Sequence, residues 1–552
     1  MNNENTYSIE SSIPKEEFEL VHKDESLHDT KFETRPIGWL EDSVRRFAKN
    51  KASVVGAVII FIILLFAIIV PAASPKAHSS MEGGFKDKEF ATVLPRIRAF
   101  KGSGFWDGTK VQTISETNYK LKLYSDANDP FFDKNSVSYT EEKLGSTVIR
   151  TYSARIDSYA LGTKTVRFAS LDEYNALLEY EKSKEISYSD DNKYKSIVKP
   201  AIDYETYVEG ELVTWLHDRG VENTTSIVDN MSKFYNQNPY VYYKLVPTKN
   251  RGNTYSDVQF EPLLVNDNVE DLYIRNSKGE LVFYTTNASS MIEVRVDYAS
   301  YAEYKYGFAV NYVFGANQYG EDIFLRLAKG ARFSLFLGIG ISLINFIIGL
   351  IYGAVSGYYG GRVDLVMERI TDIIANIPTI IIMTIAQIQL TNNAELKAVL
   401  GSAGTIVAAI LIAFVYNGWV GVAGTTRMQF YRFKGQEYVL ASRTLGAKDR
   451  RLIFKHILPN AAGTLVTSSV LMIPGIIFSE SSLSYLGIIN FSTSGICSVG
   501  ALLNEGQQAN IAMYPHVLLF PALLITLLMI SFNLFGNGLR DAFNTTLRGS
   551  EG

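Results

Sequence analysis

Residues 52–71 read Ala52-Ser-Val-Val-Gly-Ala-Val-Ile-Ile-Phe-Ile-Ile-Leu-Leu-Phe-Ala-Ile-Ile-Val-Pro71, a run without a single charged side chain. Further apolar stretches follow at 333–356, 373–390, 399–422, 463–486 and 515–535. Each has close to the ~20 residues that an α-helix needs to cross about 30 Å of hydrocarbon. Pro378 and Pro474 interrupt the third and fifth stretches, and we expect them to kink helices that face a bundle. The sequence therefore predicts an all-α polytopic membrane protein with six transmembrane helices.

The charges that flank these stretches predict their orientation, because Lys and Arg collect in the short cytoplasmic loops of membrane proteins. Such residues are dense before the first span and in the 425–460 loop: Arg35, Arg45, Arg46, Lys49, Lys51, Arg427, Arg432, Lys434, Arg443, Lys448, Arg450, Arg451 and Lys455. By contrast, the 391–398 loop has only Lys397, and 487–514 has no Lys or Arg. We therefore predict a multi-pass protein of the plasma membrane with both termini and the 425–460 loop in the cytoplasm.

The segments between and around the spans complete the predicted domain organisation. Residues 1–35 are polar and are predicted to be a disordered cytoplasmic tail, followed over 36–71 by a basic amphipathic helix on the membrane surface and the first span. Apolar and polar residues alternate within 72–310 over Thr147–Arg155, Thr163–Phe168, Leu281–Thr285 and Met291–Tyr298, and Leu171–Ser183 is helix-like. We predict a large inserted mixed α/β extracytoplasmic domain there, a core of the second to sixth spans over 311–545, and a tail at 546–552.

The composition argues against several function classes. The net charge of −4 gives no basic face for nucleic acid. Cys497 is the single cysteine and the six histidines are scattered, so we expect no metal site. The sequence has neither a GxxxxGK[ST] phosphate loop nor a G-x-S-x-G elbow. We expect no cofactor in this chain and no enzymatic activity, so that any chemistry must come from a partner.

The 425–460 loop contains a helix–glycine–helix pattern. It reads Glu437-Tyr-Val-Leu-Ala-Ser-Arg-Thr-Leu-Gly446, then Ala-Lys-Asp-Arg-Arg-Leu-Ile-Phe-Lys-His-Ile-Leu-Pro459. Gly446 suits the end of a first helix, Asp449 the start of a second and Pro459 its end. Leu440, Ala441 and Leu445 have little to bury against within the chain. The segment is therefore either a knob that inserts into a partner's groove or an ordinary basic loop facing the membrane, and these residues leave both open.

This segment resembles the EAA loop of ABC importer permeases, which forms the coupling helix for the ATPase. Ala441, Gly446, Leu458 and Pro459 fall on the family's pattern, whereas Leu440, Ser442 and His456 stand where the family has Glu, Ala and Ile. Four more stretches resemble the oligopeptide/dipeptide permeases in particular, namely Phe314–Leu335, Ser356–Asp364, Ser479–Gly487 and Phe532–Asp541. In the first of them Glu321 stands where the family has Arg. The resemblance covers roughly 36–71 and 310–545.

The resemblance implies a bacterial type I ABC importer permease that moves oligopeptides or dipeptides into the cytoplasm by alternating access. It places ATPase coupling on Glu437, Leu440, Ala441, Ser442, Leu445, Gly446, Leu458 and Pro459. The implied partners are a second homologous permease (the B member of the pair), two ATPase subunits that bind ATP and Mg, and a lipid-anchored or periplasmic substrate-binding protein. Relatives that carry nickel, glutathione or oligosaccharides remain alternatives. A membrane receptor that senses ligand through 72–310 is a hypothesis of another class.

A few residues inside the spans are further candidates. Gly349, Gly353 and Gly357 repeat every four residues, a spacing that lets two helices approach closely. Glu480 is the only acid well inside a predicted span; it either lines a translocation path or gate, or caps a kink near Pro474. Asn345 and Asn417 either line the translocation path or form hydrogen bonds to neighbouring helices, and we favour the hydrogen bonds. An intramembrane hydrolase that uses Glu480 would lack any partner motif.

Overall fold

The structure is a computed structural model that describes residues 39–74, 87–115, 132–144, 147–187, 197–198, 292–491 and 495–543, together with short pieces between 202 and 282. The tails predicted at 1–35 and 546–552 lie outside the described residues.

Helices dominate the described residues. Their bounds are α1 Trp39–Lys49, α2 Lys51–Ala73, α3 Leu171–Ser187, α4 Tyr298–Tyr306, α5 Ile323–Tyr359, α6 Gly361–Ala375, α7 Thr379–Asn392, α8 Ala394–Lys434, α9 Glu437–Thr444, α10 Leu458–Tyr485, α11 Val499–Gln508 and α12 His516–Phe543. Side-chain caps fix several starts, because an Asn or Asp oxygen accepts an otherwise unpaired backbone N–H. Asn50 caps α2, Asp322 caps α5 with a 2.9 Å bond from the Phe324 N–H, and Asn393 caps α8.

Five helical stretches among the described residues are long and apolar enough to cross a membrane: α2, α5, α8, the continuous helix of residues 449–485, and α12. The predicted third span, 373–390, is not one kinked helix, because α6 and α7 are separate and bent by 68°. Pro378 lies at the break as the residue before α7, where its ring and missing N–H cannot continue the preceding helix. The count of spans is thus five, or six if the bent pair is one span. Pro474 lies inside α10.

The prediction that Pro459 ends the second helix of the 425–460 loop is wrong. A short turn, Asp449–Arg451, and a π-helical turn, Leu452–Ile457, lead directly into α10. Pro459 therefore stands in the first turn of α10, where a missing N–H costs little. Gly446, by contrast, follows α9 with φ of 82°, as expected for a glycine after a helix end.

The spans pack most closely where glycines remove side chains. A Cβ added at Gly353 would lie 2.2 Å from the Ala423 carbonyl oxygen of α8, and Gly349 and Gly357 likewise lie against α8. α10 packs against α5 and α12, and α2 packs against α12. A buried cluster that includes Ile341, Met383 and Ile410 fills the space between α5, α7 and α8. These contacts bring α5, α7, α8 and α10 around one common interior.

Strands occupy much of the described part of 72–310. β1 Thr109–Ser115, β2 Phe132–Leu144 and β3 Thr147–Asp157 form an antiparallel sheet in the order β1-β3-β2, with Thr109 opposite Asp157. β4 Thr163–Phe168 pairs antiparallel with β5 Ile292–Asp297, and Phe168 lies opposite Ile292. Two-residue strands pair Ile202–Asp203 with Val241–Tyr242, Lys244–Leu245 with Val258–Gln259, and Ile274–Arg275 with Leu281–Val282. The alternating segments at 147–155 and 163–168 are thus strands, and the helix-like run at 171–183 is α3.

The described part of 72–310 contacts one end of the helical bundle. The Ala316 N–H, before α5, donates to the Val93 carbonyl at 2.9 Å. Trp106 packs on Phe520 of α12 at 5.7 Å between ring centroids, and Phe520 stacks on Phe314 at 4.0 Å. We call this the insertion-side end, where α5 and α12 begin. The opposite end, which carries residues 437–459, is the elbow-side end.

Candidate functional site

The segment of residues 437–459, which we call the elbow, projects apolar side chains outward. Leu445 is 88% exposed and Leu440 is 46% exposed. Glu437, Ala441, Gly446 and Pro459 are also exposed, whereas Ser442 and Leu458 are half-buried. The side chain of Leu445, at the end of α9, is therefore barely covered by its own chain.

The other face of the elbow is fixed to the bundle by a buried apolar cluster. Val439 of α9 and both Leu452 and Ile457 of the π-helical turn pack with Tyr358 at the end of α5 and Phe430 near the end of α8. Four of these five side chains are fully buried, and Tyr358 is 7% exposed. Fully burying a side chain of this size contributes roughly 1.5–3 kcal/mol. The elbow is therefore a rigid part of the bundle that presents Leu445 from a supported base.

Polar contacts reinforce this base around one tyrosine. The Tyr358 hydroxyl donates to Asp449 Oδ1 at 2.6 Å and accepts from Arg443 Nη2 at 3.4 Å. Lys434 Nζ donates to the Gly357 carbonyl at 2.9 Å. Because Asp449 and Arg443 belong to the elbow and Tyr358 belongs to α5, these contacts link the elbow to α5 directly. We call Tyr358, Asp449 and Arg443 the tyrosine latch.

The residues that depart from the family's pattern have partners within this chain. Ser442 Oγ lies 3.3 Å from His456 Nε2, so two of the departures in the elbow contact each other. At the other end of the bundle, Glu321 pairs with Arg326 at 2.8 Å. The acid that replaces the family's arginine is thereby neutralised within the chain.

A charged cluster joins α6 to α8 near the elbow and was missed by the sequence analysis. Arg427 contacts Asp364 through two bonds of 2.6 and 2.7 Å and also reaches Glu368 at 3.1 Å. Tyr431 donates to Asp364 at 2.8 Å, and Ser356 of α5 also bonds to Asp364. The bidentate geometry is the strong form of an arginine–carboxylate pair. Because 63 residues separate Asp364 from Arg427, no local sequence signal indicates the pairing.

A cavity of about 440 Å³ lies between α5, α7, α8 and α10 and is lined by Asn345, Thr379, Asn417 and Ser479, among others. Asn417 Nδ2 donates to Thr379 Oγ1 at 3.0 Å, and Asn345 Nδ2 donates to the Phe414 carbonyl at 3.2 Å. Among the described residues, no group bonds to Asn345 Oδ1, although the side chain is fully buried. The two asparagines thus border the same space and also bond to neighbouring helices.

Glu480 does not line this cavity. It is fully buried and accepts hydrogen bonds from Ser484 at 3.0 Å and from Ser334 and Ser481 at 3.3 Å each. Ser334 belongs to α5, so the carboxyl group joins α10 to α5. In this conformation Glu480 is placed as a bonding group between helices. Its proposed part in a path or gate stays a prediction.

Two carboxylates, Asp87 and Asp107, accept hydrogen bonds from other residues within the 72–310 region. Asp87 accepts from the hydroxyls of Tyr298 at 2.9 Å and Tyr306 at 3.2 Å. Burial, together with the charge of Asp87, raises the pKa of both tyrosines, so both hydroxyls stay protonated as donors. Burial alone would raise the pKa of Asp107, but hydrogen bonds from Thr109 and Gly104 outweigh it and lower that pKa.

Within the described part of the chain, no group of three or more His, Cys, Asp or Glu residues is arranged to hold a metal ion.

Comparison with known proteins gives matches over the helical parts of the chain. The model of the binding-protein-dependent transport system inner membrane component matches residues 330–549, and that of the N-terminal TM domain of oligopeptide transport permease C matches 38–84. The oligopeptide transport system permease protein OppC of Bacillus subtilis is 40% identical over 235 residues, which cover 43% of this chain and 72% of that protein. The dipeptide transport system permease protein DppC of the same organism is 38% identical, covering 43% and 69%.

One further relative and one solved structure are also similar to parts of this chain. The glutathione transport system permease protein GsiD of Pectobacterium atrosepticum is 32% identical over 234 residues, covering 42% of this chain and 72% of that protein. A solved structure of the MetNI methionine ABC transporter in an inward-facing conformation covers 39% of this chain and 95% of its own, with 15% identity and a TM-score of 0.30. That score is too low to establish a shared fold.

A bundle of apolar helices with an anchored elbow at one end defines a multi-pass membrane protein of the transport-permease class. The chain belongs to the family of binding-protein-dependent transport inner-membrane components, as a permease of the oligopeptide/dipeptide ABC importer type. Members of this family are permease subunits and not enzymes, since ATP hydrolysis resides in separate subunits.

Proposed function

We propose that this chain forms one half of the translocation pathway of an ATP-driven importer, which receives oligopeptides or dipeptides from a substrate-binding protein and releases them into the cytoplasm by alternating access. The single observation that carries the proposal is the elbow, where an 88% exposed Leu445 projects from a base buried in the bundle. Such a supported apolar tip suits insertion into a groove of an ATPase subunit, and the family membership gives that partner's class.

The contacts of the elbow suggest how a movement of the ATPase would reach the membrane. Residues 449–485 form one helix, so the elbow continues without a loop into α10. The tyrosine latch adds a second connection, to α5, and the Arg427–Asp364 pair ties α6 to α8. Of these helices, α5, α8 and α10 border the 440 Å³ cavity. We propose that ATP binding and hydrolysis select between two arrangements of these helices, each preferred by different partners.

The charge distribution supports the proposed orientation. α1 carries Arg45, Arg46 and Lys49 and packs on α12 through Phe47 and Phe535, at 5.4 Å between ring centroids. α1 and the elbow, the two basic segments, both lie at the elbow-side end. We propose that this end faces the cytoplasm with both termini, and that residues 72–310 lie outside.

The coupling proposal is tested by Leu445→Asp. Because Leu445 is almost fully exposed, a charge there spares the fold of this chain but penalises burial in an apolar groove. We expect loss of co-purification with the ATPase subunits and loss of uptake. The matched control is Leu486→Asp, which alters a 65% exposed leucine just beyond the opposite end of α10 and should leave ATPase association intact. Normal ATPase association of Leu445→Asp would refute the proposed role of the elbow.

Residues 72–310 are proposed to dock or shield the binding protein, because the described part sits on the insertion-side end. The proposal is tested by deleting residues 72–310 as a unit, because α3 and residues 197–198 share one buried core with β4 and β5 and cannot be removed alone. We expect uptake to fall at limiting binding protein while ATPase association persists. Unchanged uptake under that condition would contradict a docking role.

Substrate identity is tested separately from the machinery. The similarity to a protein named for glutathione transport makes glutathione the second candidate cargo. Uptake of labelled peptides by cells with and without the chain, in competition with glutathione, distinguishes the two cargoes. A membrane receptor would give ligand-dependent responses without any uptake.

A further inference from the structure

Three cations lie on the first turns of α5 at the insertion-side end, and only one of them has acidic partners. Arg326 is 7% exposed and pairs with Glu321 at 2.8 Å and with Glu505, whose Oε1 lies 2.7 Å from Arg326 Nη2. Lys329 is half-buried and Arg332 is exposed. Within the part of the chain that the structure describes, neither of these two forms a hydrogen bond or an ion pair. At this end of α5, Lys329 and Arg332 thus carry positive charges without an acidic partner among the described residues, next to Arg326, which has two.

Lys329 and Arg332 border a groove of about 590 Å³ that is otherwise apolar. It runs down α5 past Phe333, Phe336 and Ile341 and is closed on its other side by Val407 and Leu411 of α8. None of the described residues that line it is acidic. Phe336 is 81% exposed, so the groove is open and can admit a side chain from outside.

The two cations lie at the entrance of the apolar stretch of α5. At 1.5 Å of rise per residue they are about 9 and 14 Å from the start of α5, in the turns just before the apolar residues 333–356. A charged side chain in contact with lipid tails is costly, whereas one that faces a watery cavity or an anion is not. Side chains of a helix also tilt toward its N-terminus, which directs both head groups to the insertion-side end. This face of α5 therefore borders water or an anion.

We infer that Lys329 and Arg332 bind the C-terminal carboxylate of the entering peptide, with its last apolar side chain in the groove. The inference rests on the proposed function and names the end of the substrate that the permease recognises. A carboxylate is the anion present on every unmodified peptide whatever its sequence, and it matches the guanidinium fork of an arginine. The two adjacent cations repel each other and the peptide's N-terminal ammonium group, so the site also sets the direction of entry.

The test compares two labelled peptides of one sequence, with a free and with an amidated C-terminus, in the complete complex with saturating binding protein. The variant is Lys329→Gln with Arg332→Gln. The measured quantity is the uptake of the peptide with a free C-terminus divided by the uptake of the amidated peptide. The binding protein is the same for wild type and variant, so a change in this ratio reports only the contact of the carboxylate with Lys329 and Arg332. We expect the wild-type ratio to exceed that of the variant about fivefold, as for a partly exposed charge-assisted contact.

Controls separate the site from folding and from charge in general. Arg332→Gln alone alters an exposed side chain and should lower the ratio in part, while Lys329→Arg with Arg332→Lys should preserve it. Lys397→Gln removes a positive charge at the same end but outside the groove and should leave the ratio unchanged. Equal loss of uptake for both peptides in the variant would overturn the inference and indicate a lipid or partner permease as the occupant. Failure of wild type to import either peptide would instead overturn the proposed function.

Discussion

Replacing Gly353 by alanine tests how tightly α5 and α8 are held together. The added Cβ would lie 2.2 Å from the Ala423 carbonyl oxygen and 2.7 Å from Thr426 Cβ. Both distances are far below a van der Waals contact, and a backbone oxygen cannot rotate away. The helices must therefore move apart, and overpacking of this kind costs about 1–3 kcal/mol.

The magnitude follows from two opposed effects. Alanine is favoured over glycine inside a helix by about 1 kcal/mol, which offsets part of the overpacking cost. Because the clash is with backbone, we take the upper end of that cost and expect Gly353→Ala to lower the free energy of unfolding by about 2 kcal/mol. At 2–4 °C for each kcal/mol, the Tm should fall by about 4–8 °C.

The matched control is Gly424→Ala on α8, where an added Cβ meets no atom within 4 Å. This variant keeps the gain in helix propensity without the clash, so its Tm should equal or exceed that of the wild type. Thermal unfolding of the purified chain in detergent, followed by tryptophan fluorescence, measures both. A Tm of Gly353→Ala equal to that of Gly424→Ala would refute the close packing of the two helices.

Three further predictions concern polar groups. Tyr358→Phe removes the latch hydrogen bond and should lower the ratio of peptide uptake to ATP hydrolysis about fivefold, equivalent to ~1 kcal/mol. Tyr359→Phe, the control, should leave this ratio unchanged. Equal ratios of uptake to hydrolysis in the two variants would contradict the proposed latch. Asp364→Asn should lower the free energy of unfolding by about 2 kcal/mol, because it removes the bidentate partner of Arg427 and leaves only the contact with Glu368. Asp372→Asn, which alters an exposed pair, should lower it by less than about 1 kcal/mol, and similar losses of the two variants in thermal unfolding would argue against a special role of Asp364. Because the pKa of Asp107 is lower in the folded chain than in the unfolded chain, its carboxylate stabilises the fold above about pH 4. This stabilisation is lost as the pH falls through the lowered pKa. In limited proteolysis of the full chain, Asp107→Asn should therefore be less sensitive to acid than the wild type.

Local features of the fold could be predicted from the sequence because their causes are local. Apolar length indicates where helices lie, and Gly446 after α9 adopts a positive φ that depends only on its own stretch of backbone. Pro459 was misjudged for the same reason. A proline excludes only the preceding turn, and the sequence alone does not show whether that proline ends one helix or stands in the first turn of another.

The long-range pairings could not be predicted, since they depend on which helices meet. Nothing in the sequence indicates that Ser442 contacts His456 or that Arg427 contacts Asp364, because both pairings require the packed bundle. Glu480 illustrates the limit most clearly. Its rarity inside a span was visible in the sequence, but its serine partners come partly from α5, and only their positions show that the carboxyl group joins helices outside the cavity.

The unbroken helix of residues 449–485 has a mechanical consequence. At 1.5 Å per residue its 37 residues extend over about 55 Å, which is longer than the roughly 30 Å of hydrocarbon that a membrane span crosses. If this helix moves as a rigid body, a tilt of about 5° at residue 449 would displace residue 485 by roughly 5 Å. Because the π-helical turn at the base is packed into the buried cluster of the elbow, such a tilt would move the elbow and the helix together.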